Sequence, residues 1–90
     1  MSIEVTRINR VRNQGSIKAF ADVGIDTEVN GQTCQMINRG YRIIDNDGRI
    51  FVSGPSKKGS DNEYHMMTFT NSPLLKNAII HAIMTAFEEL

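Results

Sequence analysis

The stretch Tyr41–Lys58, YRIIDNDGRIFVSGPSKK, decides the fold. An apolar run at Tyr41-Arg42-Ile43-Ile44 enters an Asp47-Gly48 turn, and a second run, Ile50-Phe51-Val52, leaves it. Two Ile/Val/Phe-rich runs joined through Asp-Gly are a strong short-range hairpin signal, because both turn residues tolerate the positive φ of a tight turn. The step Pro55-Ser56-Lys57-Lys58 then breaks the pattern. It sets two adjacent lysines where the hairpin ends, so that they project from a rigid edge into water.

On the N-terminal side, Ile3 and Val5 alternate with Glu4 and Thr6, which predicts a first strand from about Ile3. Ile8 and Val11 fall out of that phase, so a bulge or bend is expected near Arg7. Asn13-Gln14-Gly15 reads as a turn. Ile17, Ala19, Ala21, Val23 and Ile25 then hold period two, with Lys18, Phe20 and Asp22 on the opposite face. Asn30-Gly31 is a tight-hairpin pair. It leads to a long third strand, Gln32 to Asp45, expected to break at Arg39-Gly40. Arg49 to Ser53 makes a fourth strand and Tyr64 to Phe69 a short fifth.

The C-terminal segment changes period. Asn71 or Ser72 can cap a helix, and Pro73 suits its first turn, where a missing N–H costs nothing. Leu75, Ala78, Ile79, Ala82, Ile83, Ala86 and Leu90 follow at spacings of three and four, and Leu74, Ile80, Met84 and Phe87 widen the stripe. A helix apolar over so much of its girth packs against two surfaces, its own sheet and a partner chain. The expected architecture is one domain over residues 1–90, α+β, with a four- to five-stranded antiparallel sheet, one C-terminal helix and a homodimeric state.

Size points the same way. A chain of 90 residues buries only about 60–65% of the surface its unfolded form exposes, so dimerisation is the natural supplement to its core. The single Cys34 excludes an intramolecular disulfide and multi-cysteine metal sites, and suggests a buried free thiol in a reducing compartment. No charged-then-apolar leader opens the chain, and no apolar run approaches the ~20 residues of a membrane-spanning helix. A soluble cytoplasmic domain without a membrane partner is expected.

Ten basic and ten acidic residues cancel, which is not the balance of a typical nucleic-acid binder, but the charges are unevenly placed. Residues 1–20 set Arg7, Arg10, Arg12 and Lys18 against Glu4 alone. Residues 39–58 set Arg39, Arg42, Arg49, Lys57 and Lys58 against Asp45 and Asp47. A fold that brought these two segments together would present a basic face. Lys57 and Lys58, with Ser56 and Gly59-Ser60 beside them, can bind phosphates or can serve only as a solubilising loop. Arg7, Arg10 and Arg12 carry the same two readings, Arg10 and Arg12 sharing one face if the segment is extended. Aromatics suited to base stacking are few: Phe20, Tyr41, Tyr64 and Phe69.

Other chemistry finds little support. His65 and His81 lack the spacing of metal ligands and read as structural or solvent-exposed. Cys34 has no neighbours that would lower its pKa and reads as a small apolar strand residue. Ser53-Gly54-Pro55-Ser56 lacks the glycine spacing of a phosphate loop, and Asp45-Asn46-Asp47-Gly48 lacks the downstream Glu of a calcium loop. The methionines Met36, Met66, Met67 and Met84 read as core or interface filler, and the adjacent pair Met66-Met67 must point to two faces. No cofactor and no catalytic activity are expected.

The ordered block Tyr41-Arg42-Ile43-Ile44, Asp47-Gly48-Arg49-Ile50-Phe51-Val52, Pro55-Ser56-Lys57-Lys58 and Asp61-Asn62-Glu63-Tyr64 resembles the core of the SpoVG family, the stage V sporulation protein G proteins. Ile3-Glu4-Val5-Thr6 is similar to that family's first strand, and Asn71-Ser72 before an Ala/Ile helix to its last element. The chain departs from the pattern at Phe69-Thr70, where a His-Pro step is common, and at Leu74-Leu75, where polar or basic residues are usual. The resemblance implies a small α+β homodimer that binds DNA and RNA and regulates gene expression, with links to cell division and sporulation. Its implied nucleic-acid contacts are Lys57 and Lys58 with Ser56 beside them, and Lys76 at the helix start. Arg42 matches the family's strand arginine. A module that recruits a division or regulatory protein, without touching nucleic acid, is the alternative.

Overall fold

The computed structural model describes residues 2–12, 15–66 and 70–90, with no account of the Met66 side chain. Four strands form one antiparallel sheet in the order β1 (Ile3–Arg10), β2 (Ile17–Val29), β3 (Gln32–Asn46) and β4 (Arg49–Ser53). A separate two-stranded ribbon joins β5 (Ser56–Lys58) to β6 (Tyr64–Met66), and α1 (Pro73–Glu88) follows.

The two later connections within the main sheet are two-residue turns whose chemistry is visible. Asn30-Gly31 turns with φ of 51° and 78°, between Val29 and Gln32, which face each other. Asp47-Gly48 does the same with φ of 54° and 90°, between Asn46 and Arg49. Two successive positive φ values twist a two-residue turn to match the twist of its strands. The Asp45 carboxylate tightens the second turn by accepting from the Gly48 amide at 2.8 Å. Of the turn expected at Asn13-Gln14-Gly15, only Gly15 is among the described residues, with φ of 64°.

The phase slip in β1 is a bulge, since register jumps between Val5 and Arg7 with Thr6 as the extra residue. Ile3, Val5 and Ile8 thereby all face the core. The break expected at Arg39-Gly40 is also a bulge: β3 runs on, but Ala21 faces Tyr41 while Val23 faces Asn38. Gly40 takes φ of 91°, and its amide donates to Asp22 Oδ1 at 3.2 Å. Without that extra step Tyr41 and Ile43 would face away from the core, because a one-residue slip exchanges faces.

The helix covers one face of the sheet. Ser72 caps it by accepting the Leu75 amide on its Oγ at 3.2 Å, with Pro73 in the first turn. Ile79 and Ile83 are buried against Ala19, Ala21, Val23, Tyr41 and Ile43, and Leu75, Phe87, Val52 and Ile25 close the rim. Small residues in the middle of β2 let the helix approach the sheet closely. Ala78 and Leu90, expected in the apolar stripe, are exposed.

Two expectations are corrected. Cys34 is exposed rather than buried, because β2 and β3 run past the end of β1 as a free hairpin arm, where Thr27 faces Cys34. Met36 is exposed as well, not core filler. The fifth strand expected at Tyr64 to Phe69 belongs to the ribbon and is described as Tyr64–Met66; residues 67–69 and the Met66 side chain lie outside the described portion. Its partner β5 had no apolar alternation to announce it.

Candidate nucleic-acid interface

Ser53 ends β4, and Gly54 with the buried Pro55 carries the chain into the ribbon. Arg42 holds that junction. From the sheet face away from the helix, its Nη2 donates to Ser56 Oγ at 2.8 Å and to Ser53 Oγ at 3.4 Å. One guanidinium nitrogen thus ties the last residue of β4 to the first of β5. Arg42 is half-buried and Ser56 is its partner, so both act on the site from beneath.

Beyond the clamp the ribbon alternates faces. Lys57 lies opposite His65, Lys58 opposite Tyr64 and Ser56 opposite Met66. Directly opposed residues share a face, so Lys57 goes with His65, while Lys58 and Tyr64 occupy the other side. Both lysines are exposed.

A compact loop closes the ribbon. The Gly59 amide donates to Glu63 O at 2.8 Å, and Asn62, at φ of 64°, donates to Gly59 O at 3.1 Å. The Asp61 carboxylate folds back over it, accepting from the Glu63 amide at 3.0 Å and lying 3.1 Å from His65 Nε2. These contacts, the Glu63 amide first and His65 second, hold the Asp61 carboxyl below its usual range. The contact becomes an ion pair when His65 is protonated. A Cβ on Gly59 would come within 2.9 Å of both Asp61 Oδ1 and the His65 ring, so a larger residue there would displace the exposed pair.

The remaining basic residues lie elsewhere. β1 and β4 are opposite edges of the sheet, three strand spacings or about 14 Å apart. Across that span Arg7, Arg42 and Arg49 nevertheless share the sheet face away from the helix, since they alternate with the core-facing Ile8, Ile43 and Val52. Arg7 is exposed opposite Asp22, and Arg12 is exposed beyond the end of β1. Arg10 lies over the Phe87 ring, 5.0 Å from its centroid, and ties β1 to the end of α1 by a cation–π contact. Lys76 is exposed in the first turn of α1 beside an apolar groove of about 470 Å³ lined by Ile25, Met36, Tyr41, Val52 and Ile79.

Of the candidate stacking aromatics, Tyr41 is buried, and burial pushes its hydroxyl up in pKa. Phe69 is outside the described residues, and Phe20 is only partly exposed on the open sheet face. Tyr64 is 69% exposed. Its place beside Lys58, the Asp61–His65 pair and the Arg42–Ser56 clamp were not legible in sequence. The spacing of Gly59, Asp61 and Asn62 between Lys58 and Tyr64 was the available turn signal.

A family model described as SpoVG matches residues 1–89. The chain belongs to the SpoVG family. A "Putative septation protein SpoVG" of Brevibacillus brevis is 28% identical over 90 residues, which is 100% of this chain and 87% of that protein. Proteins of the same name from Geobacillus thermodenitrificans (27% over 90 residues, 100% of this chain and 86% of that one) and Archaeoglobus fulgidus (25% over 87 residues, 97% and 94%) are also similar. The resemblance that is densest over residues 41–64 thus extends along the chain. In this SpoVG fold that block builds one continuous piece of structure: the β3–β4 hairpin, the Arg42 clamp and the ribbon with its two lysines.

Proposed function

We propose that this chain is a non-enzymatic, nucleic-acid-binding regulatory protein of the cytoplasm that acts as a homodimer in processes connected with septation. Septation comes from the names of its SpoVG relatives. The observation that carries the binding is the ribbon, where two exposed lysines stand on a short, clamped element instead of a mobile tail. A backbone already ordered at the lysines spares binding the cost of ordering the segment that carries them, and phosphate contacts set affinity and register while carrying little sequence information. Arg7 and Arg12, at the far edge, can follow a strand laid across the sheet, and Lys76 extends the reach at the helix start.

The dimer is supported by the outer edge of β3. Among the described residues β4 pairs only with Arg42 to Asn46, so no strand covers β3 from Gln32 to Tyr41 on that side. The segment Gln32–Asn38 carries no charged residue, and Met36 and Ile37 are 61% and 47% exposed. Monomeric proteins blunt such edges with charge, proline or a covering element, and among the described residues Arg39, at one end of it, is the one such device along this edge. A second copy pairing there would cover the edge and the groove beside it. The same edge favours the second reading, a module that recruits a division protein by strand addition.

Gel shifts of the wild-type protein with duplex DNA, single-stranded DNA and RNA at low salt test the first reading. Binding that is lost in Lys57→Ala/Lys58→Ala supports it. No shift with any probe, together with a specific protein partner, supports the second.

A further inference from the structure

We propose that the ribbon takes single-stranded nucleic acid, stacking one base on the Tyr64 ring while Lys58 holds an adjacent phosphate. The inference rests on the reading of Lys57 and Lys58 as phosphate contacts and adds the form of the ligand and a new contact residue. Tyr64 is the most exposed aromatic among the described residues at 69%, and it stands on a ribbon anchored at its other end by Arg42 and Ser56. A ring held this far out of the core leaves its face open to a ligand.

The register supplies the partner charge. Lys58 lies directly across from Tyr64, which puts their Cβ atoms about 4.5–5.5 Å apart on one face of the ribbon. A cation beside a bare aromatic ring is the pairing by which single-strand binders hold backbone and base together, since every base has a π-face and every linkage a charge. Of the two acids in the loop, Asp61 and Glu63, the first is kept off this side. Asp61 turns its carboxylate to His65, which shares the opposite face with Lys57.

The duplex is a poor match for this geometry. Its bases are already stacked on one another, and a ring at the tip of a three-residue ribbon reaches a base only where the base is unstacked, as in single strands and loops. Duplex binding would use the lysines and leave the ring idle.

The test is fluorescence anisotropy with one short mixed-sequence strand, as DNA and as RNA, and the same DNA sequence as a duplex. The proteins are wild type, Tyr64→Phe, Tyr64→Ala and Lys57→Ala/Lys58→Ala. Tyr64→Ala should weaken single-strand binding by about 5- to 150-fold, the loss of one base–aromatic stack, while single-strand binding by Tyr64→Phe and duplex binding by both Tyr64 variants stay within about two-fold. Single-strand affinity unchanged in Tyr64→Ala, but lost in the lysine variant, overturns the stacking and leaves the phosphate contacts standing. Equal losses on single strand and duplex also overturn it. No binding of any probe by the wild type removes the phosphate reading and the stacking together. Because Tyr64 is exposed, circular dichroism should show all variants folded.

Discussion

A guanidinium that bonds Ser53 and Ser56 together carries the order of the sheet into the ribbon, so its removal should be felt at Lys57 and Lys58, which it does not touch. Arg42→Ala should cost about 1–3 kcal/mol, the range for hydrogen bonds to a charged group, and speed amide exchange at Ser56–Lys58. Arg42→Lys keeps the charge, but its side chain ends one atom short of Nη2, so its exchange rates should follow the alanine variant. If Arg42 instead served as a phosphate contact, Lys would restore binding and the ribbon amides would not change in either variant. The Asp61 carboxylate offers a pH test. Its pKa is lowered, first by the Glu63 amide and then by His65. The stability it lends the loop is therefore present above the usual carboxylate pKa of about 3.9 and is lost as pH falls through the lowered value. Amide exchange at Glu63 should quicken over that acidic window, and Asp61→Asn should abolish the dependence. Asp26 is lowered in the same direction by Ser2 and then Gln35, so Ser2 should loosen from β2 in the same window.

At the scale of elements, the β3 bulge sets which face of the sheet is apolar. A Cβ at Gly40 would meet only Pro55 Cβ at 3.9 Å, an ordinary contact, so the cost of Gly40→Ala comes from its φ of 91° alone. That cost should be about 1–2 kcal/mol, read as a lower urea midpoint with unchanged slope. Ser72→Ala removes the helix cap and should cost about 1 kcal/mol. The hairpin turns, the β1 bulge and the helix cap were legible because each rests on a local requirement: positive φ at Asn30-Gly31 and Asp47-Gly48, a phase slip after Val5, a hydroxyl before Pro73. β5 was not legible, since Ser-Lys-Lys has no apolar period and its anchor, Arg42, lies 14 residues away. The placing of Arg7 and Arg49 at opposite edges of one sheet face was not legible either, because local pattern says nothing of which strands become edges. Cys34 looked like a core residue because its strand is mostly apolar further on, yet the free arm places it in water.

The whole molecule is looser than its length implies. Its radius of gyration is 14.1 Å, against about 12 Å for a compact chain of this size. The excess fits the β2–β3 arm and the ribbon, both reaching away from a core in which, among the described residues, only Val23, Ile43 and Ile83 are large and fully buried. A core this small, beside an open and mostly uncharged edge, is the physical case for a second copy. Met36→Lys/Ile37→Lys should leave the chain folded and shift light scattering from dimer to monomer; a wild-type protein already monomeric would refute the edge pairing. The Lys57–Lys58 site is central to the account, and salt dependence probes it most directly. Anisotropy titrations over a range of salt should give a steeper line of log affinity against log salt for the wild type than for Lys57→Ala/Lys58→Ala. On duplex DNA the slope should fall by roughly 0.9 for each lysine that meets a phosphate. Equal affinities and parallel lines for the two proteins would contradict the account.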